Sequence, residues 1–127
     1  MKFHFENICN CGPQSQYECG GLDREVCPYF EAVKVADVAL CASRHDIPEA
    51  VDGAIFDHEV DPTRPLRLEA EARRVIRESG VRFLTVYVTG LSVALVAVIN
   101  ACHALDVGLV LMHYDRETGG YYSQMVR

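Results

Sequence analysis

The stretch from Val81 to Arg116 constrains the fold of this chain more than any other. A β-branched and aromatic run, Phe83 to Val88, meets Thr89-Gly90. A long apolar segment of helical length follows, Leu91 to Leu105. Gly108 then leads into a second apolar run, Leu109 to Tyr114, which ends at Asp115-Arg116. Strand, tight turn, helix and strand make one βαβ unit of ordinary size. Both strand runs are apolar almost without interruption, as parallel strands covered on both faces are. The turn Gly90-Leu91-Ser92 falls where the first strand ends and the helix begins. There the first helical N–H groups lack an internal partner and the helix dipole is positive. Gly90 admits a ligand close to the backbone, and Ser92 adds a hydroxyl. An anion is expected here first.

The flanking segments extend this unit. Lys2 to Ile8 alternates and reads as a first strand. Val33 to Cys41 is apolar and reads as another. Ile47 to Val51 suits a helical turn closed by Asp52-Gly53, and Ala54 to Phe56 a short strand. The clearest helix follows. Asp61, Pro62 or Thr63 can cap it, and Pro62 or Pro65 suits its first turn. Leu68, Ala72, Val75 and Ile76 line one face at helical spacing. Glu69 and Glu71 lie early, Arg73, Arg74 and Arg77 lie late, and Gly80 stops the helix. After Asp115, turn chemistry at Thr118-Gly119-Gly120 predicts a hairpin that returns along Tyr121 to Val126. The expected fold is one α/β domain over 1–127. It is a small three-layer domain with a mainly parallel sheet, a C-terminal β-hairpin and a Cys-rich N-terminal insertion.

Length and charge narrow the function. The chain has 127 residues, enough for one domain with one core. Its formal charge is −6 and no basic run occurs, which argues against non-specific duplex nucleic acid binding. The N-terminus has no apolar signal core, and the longest apolar run, Val93 to Ile99, is too short to span a bilayer. A cytoplasmic protein is expected, in which the six cysteines are thiols or metal ligands rather than disulfides.

Three sets of residues carry candidate chemistry. Within the apolar helix, Ser92, Asn100 and His103 share one stripe, with Ser92 and His103 about 20° apart in projection. The rise between those two is about 16 Å, so one small ligand cannot touch both in one subunit. A larger ligand, or one shared across a two-fold axis, could. The alternative is a buried helix whose C-terminal histidine favours the negative dipole end, packed in a dimer interface. Second, Asp115 and Arg116 fall on the same sheet edge as Gly90, because parallel strands present ligand sites at their C-terminal ends. Together with His113 they suit a phosphoryl group, although spacing alone favours Asp115 starting the hairpin turn with Arg116 in solvent. Third, Cys9, Cys11, Cys19 and Cys27 spell C-x-C-x7-C-x7-C. Four thiolates over 9–28 could hold structural zinc in a knuckle, or remain ordered thiols on a loop. Cys41 and Cys102 sit in apolar runs and read as core. Asp57, His58, Glu59 and Asp61 read as a solvated strand end rather than a metal site.

The succession VYVTGLSVALV…ACHALDVGLVLMHYDRETGGYY resembles the small stand-alone CRISPR-associated ring nucleases of Rossmann-like (CARF-like) type. Gly90 and Ser92 match the family's turn, His103 its helix histidine, and Tyr114-Asp115-Arg116 with Gly119 its strand end and hairpin. The resemblance spans Phe83 to Tyr122. The Cys-rich segment and the stretch between Asp115 and Gly119, which lacks a proline, fall outside the pattern. The resemblance implies a homodimer that binds a cyclic oligoadenylate and cleaves it, in some members with divalent manganese. It implies ligand contacts at Gly90, Leu91, Ser92 and Asn100, and catalytic roles for His103, Asp115 and Arg116. Two other readings remain: a non-catalytic nucleotide sensor of the same fold, and a zinc-stabilised interaction module.

Overall fold

The computed structural model describes residues 1–9, 30–42 and 46–127. Among them the elements run in the order β1 (His4–Cys9), β2 (Phe30–Cys41), β3 (Ala54–Phe56), α1 (Pro65–Ser79), β4 (Phe83–Tyr87), α2 (Ser92–Leu105), β5 (Gly108–Asp115) and β6 (Gly120–Met125). They form a mixed α/β domain with a six-stranded sheet ordered β1-β2-β4-β5-β6, to which β3 adds beside β2. Strands β3, β2, β4 and β5 are mutually parallel where they pair, while β1 and β6 are antiparallel to their neighbours. Both β1 and β3 lie along the edge of β2 away from β4. His4 pairs with Val35 and Ala54 with Ala39, while β4 pairs with β2 across Val35 to Ala39.

The core lies on one face of the sheet. Ala36, Val38 and Leu40 of β2, Leu84 and Val86 of β4, and Leu109 and Leu111 of β5 alternate with residues of the other face. They meet Leu68, Ala72 and Ile76 of α1 and Ala94, Ala97, Val98, Ala101 and Cys102 of α2 in one cluster. The two helices also pack against each other. Alanines at the contact let α2 sit close to the sheet and its neighbour, while Val96 stays exposed. Among the described residues the layers therefore number two, not three: both helices cover the same face. The opposite face presents partly exposed Thr85, Tyr87, Val110 and Met112.

Several local expectations change. The segment 47–51 makes successive turns, with Ala50 N–H bonded to the Ile47 carbonyl and Gly53 N–H to that of Ala50. Gly53 takes a positive φ of 95°, which favours glycine. Neither Asp61 nor Thr63 caps α1. Arg64 occupies the N-cap without a side-chain bond, and Asp61 accepts from the Thr63 N–H and hydroxyl one turn earlier. Pro65 opens the helix, and its missing N–H removes one donor that would need a cap. Gly80 ends the helix in the left-handed conformation, as its position suggests. Helix α2 ends instead on Asp106, a non-glycine residue with φ of 56°. Cys41 and Cys102 are buried, and burial pushes the Cys102 thiol up to about 11. Cys9 closes β1, whereas Cys11, Cys19 and Cys27 of the expected 9–28 knuckle lie outside the described residues. Among the described residues no helix is long and apolar enough to cross a membrane.

Candidate functional site

The chain leaves β2 for β3 on one side and reaches β4 on the other. The strand order thus reverses between β2 and β4, and the crevice outside their C-terminal ends is the favoured ligand position in an open α/β sheet. A cleft of about 520 Å³ lies there. Asp46 and Ile47 line it from the connection after β2, Val88, Thr89 and Gly90 from the turn after β4. His113, Tyr114 and Arg116 enter from the end of β5, and Tyr121 and Tyr122 from the start of β6.

Each wall follows from local structure. The Val88 N–H bonds to the Met112 carbonyl, which keeps the end of β4 beside β5 for one residue past the strand. Leu91 then takes an extended conformation at the N-cap of α2 and offers no side-chain cap. The first-turn N–H groups are left for solvent or an anion. A Cβ added at Gly90 would meet no atom within 4 Å, so the backbone is open to approach on that side. The Thr89 side chain is buried and its hydroxyl oxygen has no hydrogen-bond partner among the described residues. On the opposite wall the His113 ring stacks on Tyr122 at 5.3 Å and its Nε2 bonds to Gln124 Oε1 at 2.8 Å. Tyr121 meets Tyr87 and Tyr114 edge-on at 4.9 and 5.5 Å. Burial raises the pKa of Tyr121 and of Tyr87, so both stay neutral donors. Arg116 is exposed and makes no ion pair among the described residues. The arrangement presents one free guanidinium, an uncapped helix start and several aromatic faces: the parts that hold a phosphate and stack a base.

The expected site residues separate into groups. Gly90 and Arg116 do meet in the cleft. Asp115 stands beside it, but its Oδ1 accepts the Glu117 N–H at 3.0 Å and its carbonyl accepts from Gly119, so it shapes the hairpin turn. Ser92 and Asn100 share a different groove, with Pro65, Leu66 and Glu69 of α1. Asn100 Nδ2 lies 3.5 Å from Glu69 Oε2. Leu91 packs against the core. His103 is exposed near the far end of α2, where Arg127 Nη1 donates to its Nδ1 at 2.7 Å and Arg127 also pairs with Asp106 at 2.6 Å. A guanidinium has only donors, so His103 accepts at Nδ1 and carries its proton on Nε2. Sequence reasoning passed over Tyr121 and Tyr122, whose register opposite Tyr114 and His113 puts them at the cleft.

A larger cavity, about 640 Å³, lies over the first turns of α1. Most of its charges are paired: His58 with Glu71, Asp61 with Arg64 at 3.6 Å, and Arg74 with Glu78 at 3.4 Å. It reads as a solvated face. The zinc site expected at Cys9, Cys11, Cys19 and Cys27 falls largely outside the described residues. Among those described, one group has metal-ligand geometry, His4, Asp37 and Asp52, whose donor atoms lie within 4.8 Å of one another. None of these three was expected from the sequence. No family model matches the chain, and no curated protein and no solved structure matches it.

Proposed function

We propose that the chain is a Rossmann-like, cytoplasmic protein that binds a cyclic oligoadenylate and cleaves it as a homodimer. The observation that carries this reading is the cleft at the strand-order reversal. There the unpaired Arg116 and the uncapped start of α2 face the rings of His113, Tyr114, Tyr121 and Tyr122. Arg116 pairs with a phosphate, the backbone N–H groups of the Gly90 turn hold its oxygens, and an adenine stacks on a tyrosine. Cleavage then needs a ribose 2′-hydroxyl aligned on the adjacent phosphorus. Its oxygen bonds to phosphorus, the bond to the 5′-oxygen breaks, and a general base and acid take and return the proton. Among the described residues of one chain, His113 is the imidazole at the cleft. His103 lies about 16 Å along α2 from Ser92 and takes part only from a second subunit. Manganese would supply Lewis acidity. Asp115 has one oxygen committed to the hairpin, and no group of three ligands forms beside it among the described residues. No step is therefore routed through a metal in the cleft.

A non-catalytic sensor of the same fold is the second reading, favoured by the distance of His103 from the cleft. Incubation with cyclic tetra- and hexa-adenylate, followed by chromatography of the products, separates the two. Arg116→Ala is expected to weaken binding by about 10- to 100-fold. His113→Ala or His103→Ala, whichever is the proton carrier, should slow cleavage by about 10²–10⁴-fold with binding retained. Binding without turnover leaves the sensor. Neither binding nor turnover by the wild-type protein overturns both.

A further inference from the structure

We infer that His4, Glu6 and Asp37 bind a divalent first-row metal cation on the open face of the sheet, with Asp52 positioning the histidine. This site is separate from the ligand cleft and does not depend on the nucleotide reading. Strand register creates it. His4 and Glu6 are two apart on β1 and point to one face, and His4 pairs with Val35, two residues before Asp37 on β2. The turn before β3 returns Asp52 beneath them. Its buried carboxylate accepts the Asp37 N–H at 2.9 Å and meets His4 Nδ1 at 2.7 Å.

That arrangement has the order of a carboxylate–histidine–metal triad. Asp52 fixes the proton on Nδ1 and the plane of the ring. Nε2 is thereby turned toward two further carboxylates, Glu6 Oε1 at 3.0 Å and Asp37 Oδ2 at 3.8 Å. Donors bound cis on an ion with bonds near 2.1 Å stand about 3.0–3.4 Å apart, so the His4–Glu6 separation already fits, and the His4–Asp37 separation must close by about half an ångström, with Glu6 swinging toward Asp37. Charge points the same way. Three carboxylates face one imidazole, and no Lys or Arg pairs with any of them among the described residues. Without an ion, a proton on Nε2 shared with Glu6 is the positive charge available to these carboxylates. The neighbours of Asp37 are acidic apart from His4 and the Thr85 hydroxyl. A cation replaces the Nε2 proton, which passes to solvent. A shallow cleft of about 190 Å³, lined by Glu6, Val35, Asp37, Phe83 and Thr85, adjoins the carboxylates and leaves room for water to complete the coordination. One imidazole with carboxylate oxygens suits manganese or zinc better than calcium or magnesium.

Manganese alone is the probe, because thiolates of the Cys-rich segment compete poorly for it. Chelator-stripped full-length protein is titrated with Mn²⁺ and free ion is read by electron paramagnetic resonance. One equivalent per chain should lose its free-ion signal. Glu6→Gln and Asp37→Asn should each abolish or weaken binding at least 10-fold with far-ultraviolet circular dichroism unchanged. Asp52→Asn should weaken it about 10- to 100-fold. Asp115→Asn should leave it intact. If Asp37→Asn does not fold, the exposed Glu6 variant decides. The proposal is overturned if wild-type protein binds no Mn²⁺ at millimolar concentration, if Glu6→Gln binds as wild type, or if Asp115→Asn is the variant that loses the ion.

Discussion

Thr89 and His58 show opposite fates of a polar side chain in this chain. The Thr89 hydroxyl oxygen is buried without a partner among the described residues. A buried unpaired hydroxyl costs roughly 1–3 kcal/mol, so the isosteric Thr89→Val should be neutral or stabilising by about 1 kcal/mol in urea unfolding. A stability loss above about 1 kcal/mol would mean that the hydroxyl has a partner in solution. His58 is exposed, yet the Glu59 carbonyl and then the Glu71 carboxylate raise its pKa above the ordinary 6.5. A raised folded-state value means that its stabilisation is complete below 6.5 and is lost as pH rises through the folded-state value. The Tm difference between wild type and His58→Ala should therefore shrink from about pH 5.5 to pH 8.5. A difference that grows over that interval would show the sign to be wrong. The sequence sets His113 beside Asp115 and Arg116 at a strand end, and the register opposite Tyr122 is what turns its ring into a cleft wall.

At the scale of elements, the local code and the structure agree most closely in α1. Leu68, Ala72 and Ile76 recur at helical spacing and all three are buried. Ile76 is fully buried between the sheet and α2. Truncation leaves a cavity that the packed alanines of α2 cannot collapse into, so Ile76→Ala should cost about 2–5 kcal/mol by chemical denaturation. A cost below about 1 kcal/mol would mean that the two helices close over the gap. The start of α1 was less legible. Asp61 has the composition of a cap, but its carboxylate is committed to Thr63 and Pro65 starts the helix later. Strand β2 reads as apolar from Val33 to Cys41, yet runs over Phe30–Cys41. Its first half carries Glu31 and Lys34 because β1, an antiparallel edge strand, pairs with it there. Antiparallel edges tolerate polar residues on an open face, and a periodicity argument built for parallel strands passes over them.

For the whole molecule, the question is what completes a site whose expected parts stand at both ends of α2. The cleft holds Gly90 and Arg116, while His103 is clasped by Arg127 near the other end. A homodimer is the proposal that lets a symmetric ligand meet both. Tyr122 and Met125 of the C-terminal strand and Val96 on α2 are among the exposed apolar residues such a contact would cover. Light scattering should give twice the chain mass at micromolar concentration. A monomer whose cleavage still depends on His103 would refute the shared-site geometry.

By itself the sequence determined the elements whose signals are local. The run from Phe83 to Asp115 became β4, α2 and β5 within a residue or two of its expected bounds. Gly80 and Gly119 mark real left-handed positions, and the hairpin closes at Gly120. Periodicity, turn chemistry and chain stiffness act over a few residues, so one chain carries them openly. Only the tertiary structure decided that both helices cover one face, and that Asp115 serves a turn while Arg116 stays free. It also decided that His4 meets Asp52 across 48 positions of sequence. Such contacts depend on which strands pair and in what register. A shift of one residue in β1 would turn His4 and Glu6 to the other face and dissolve the cluster with Asp37, although the local signals would read the same.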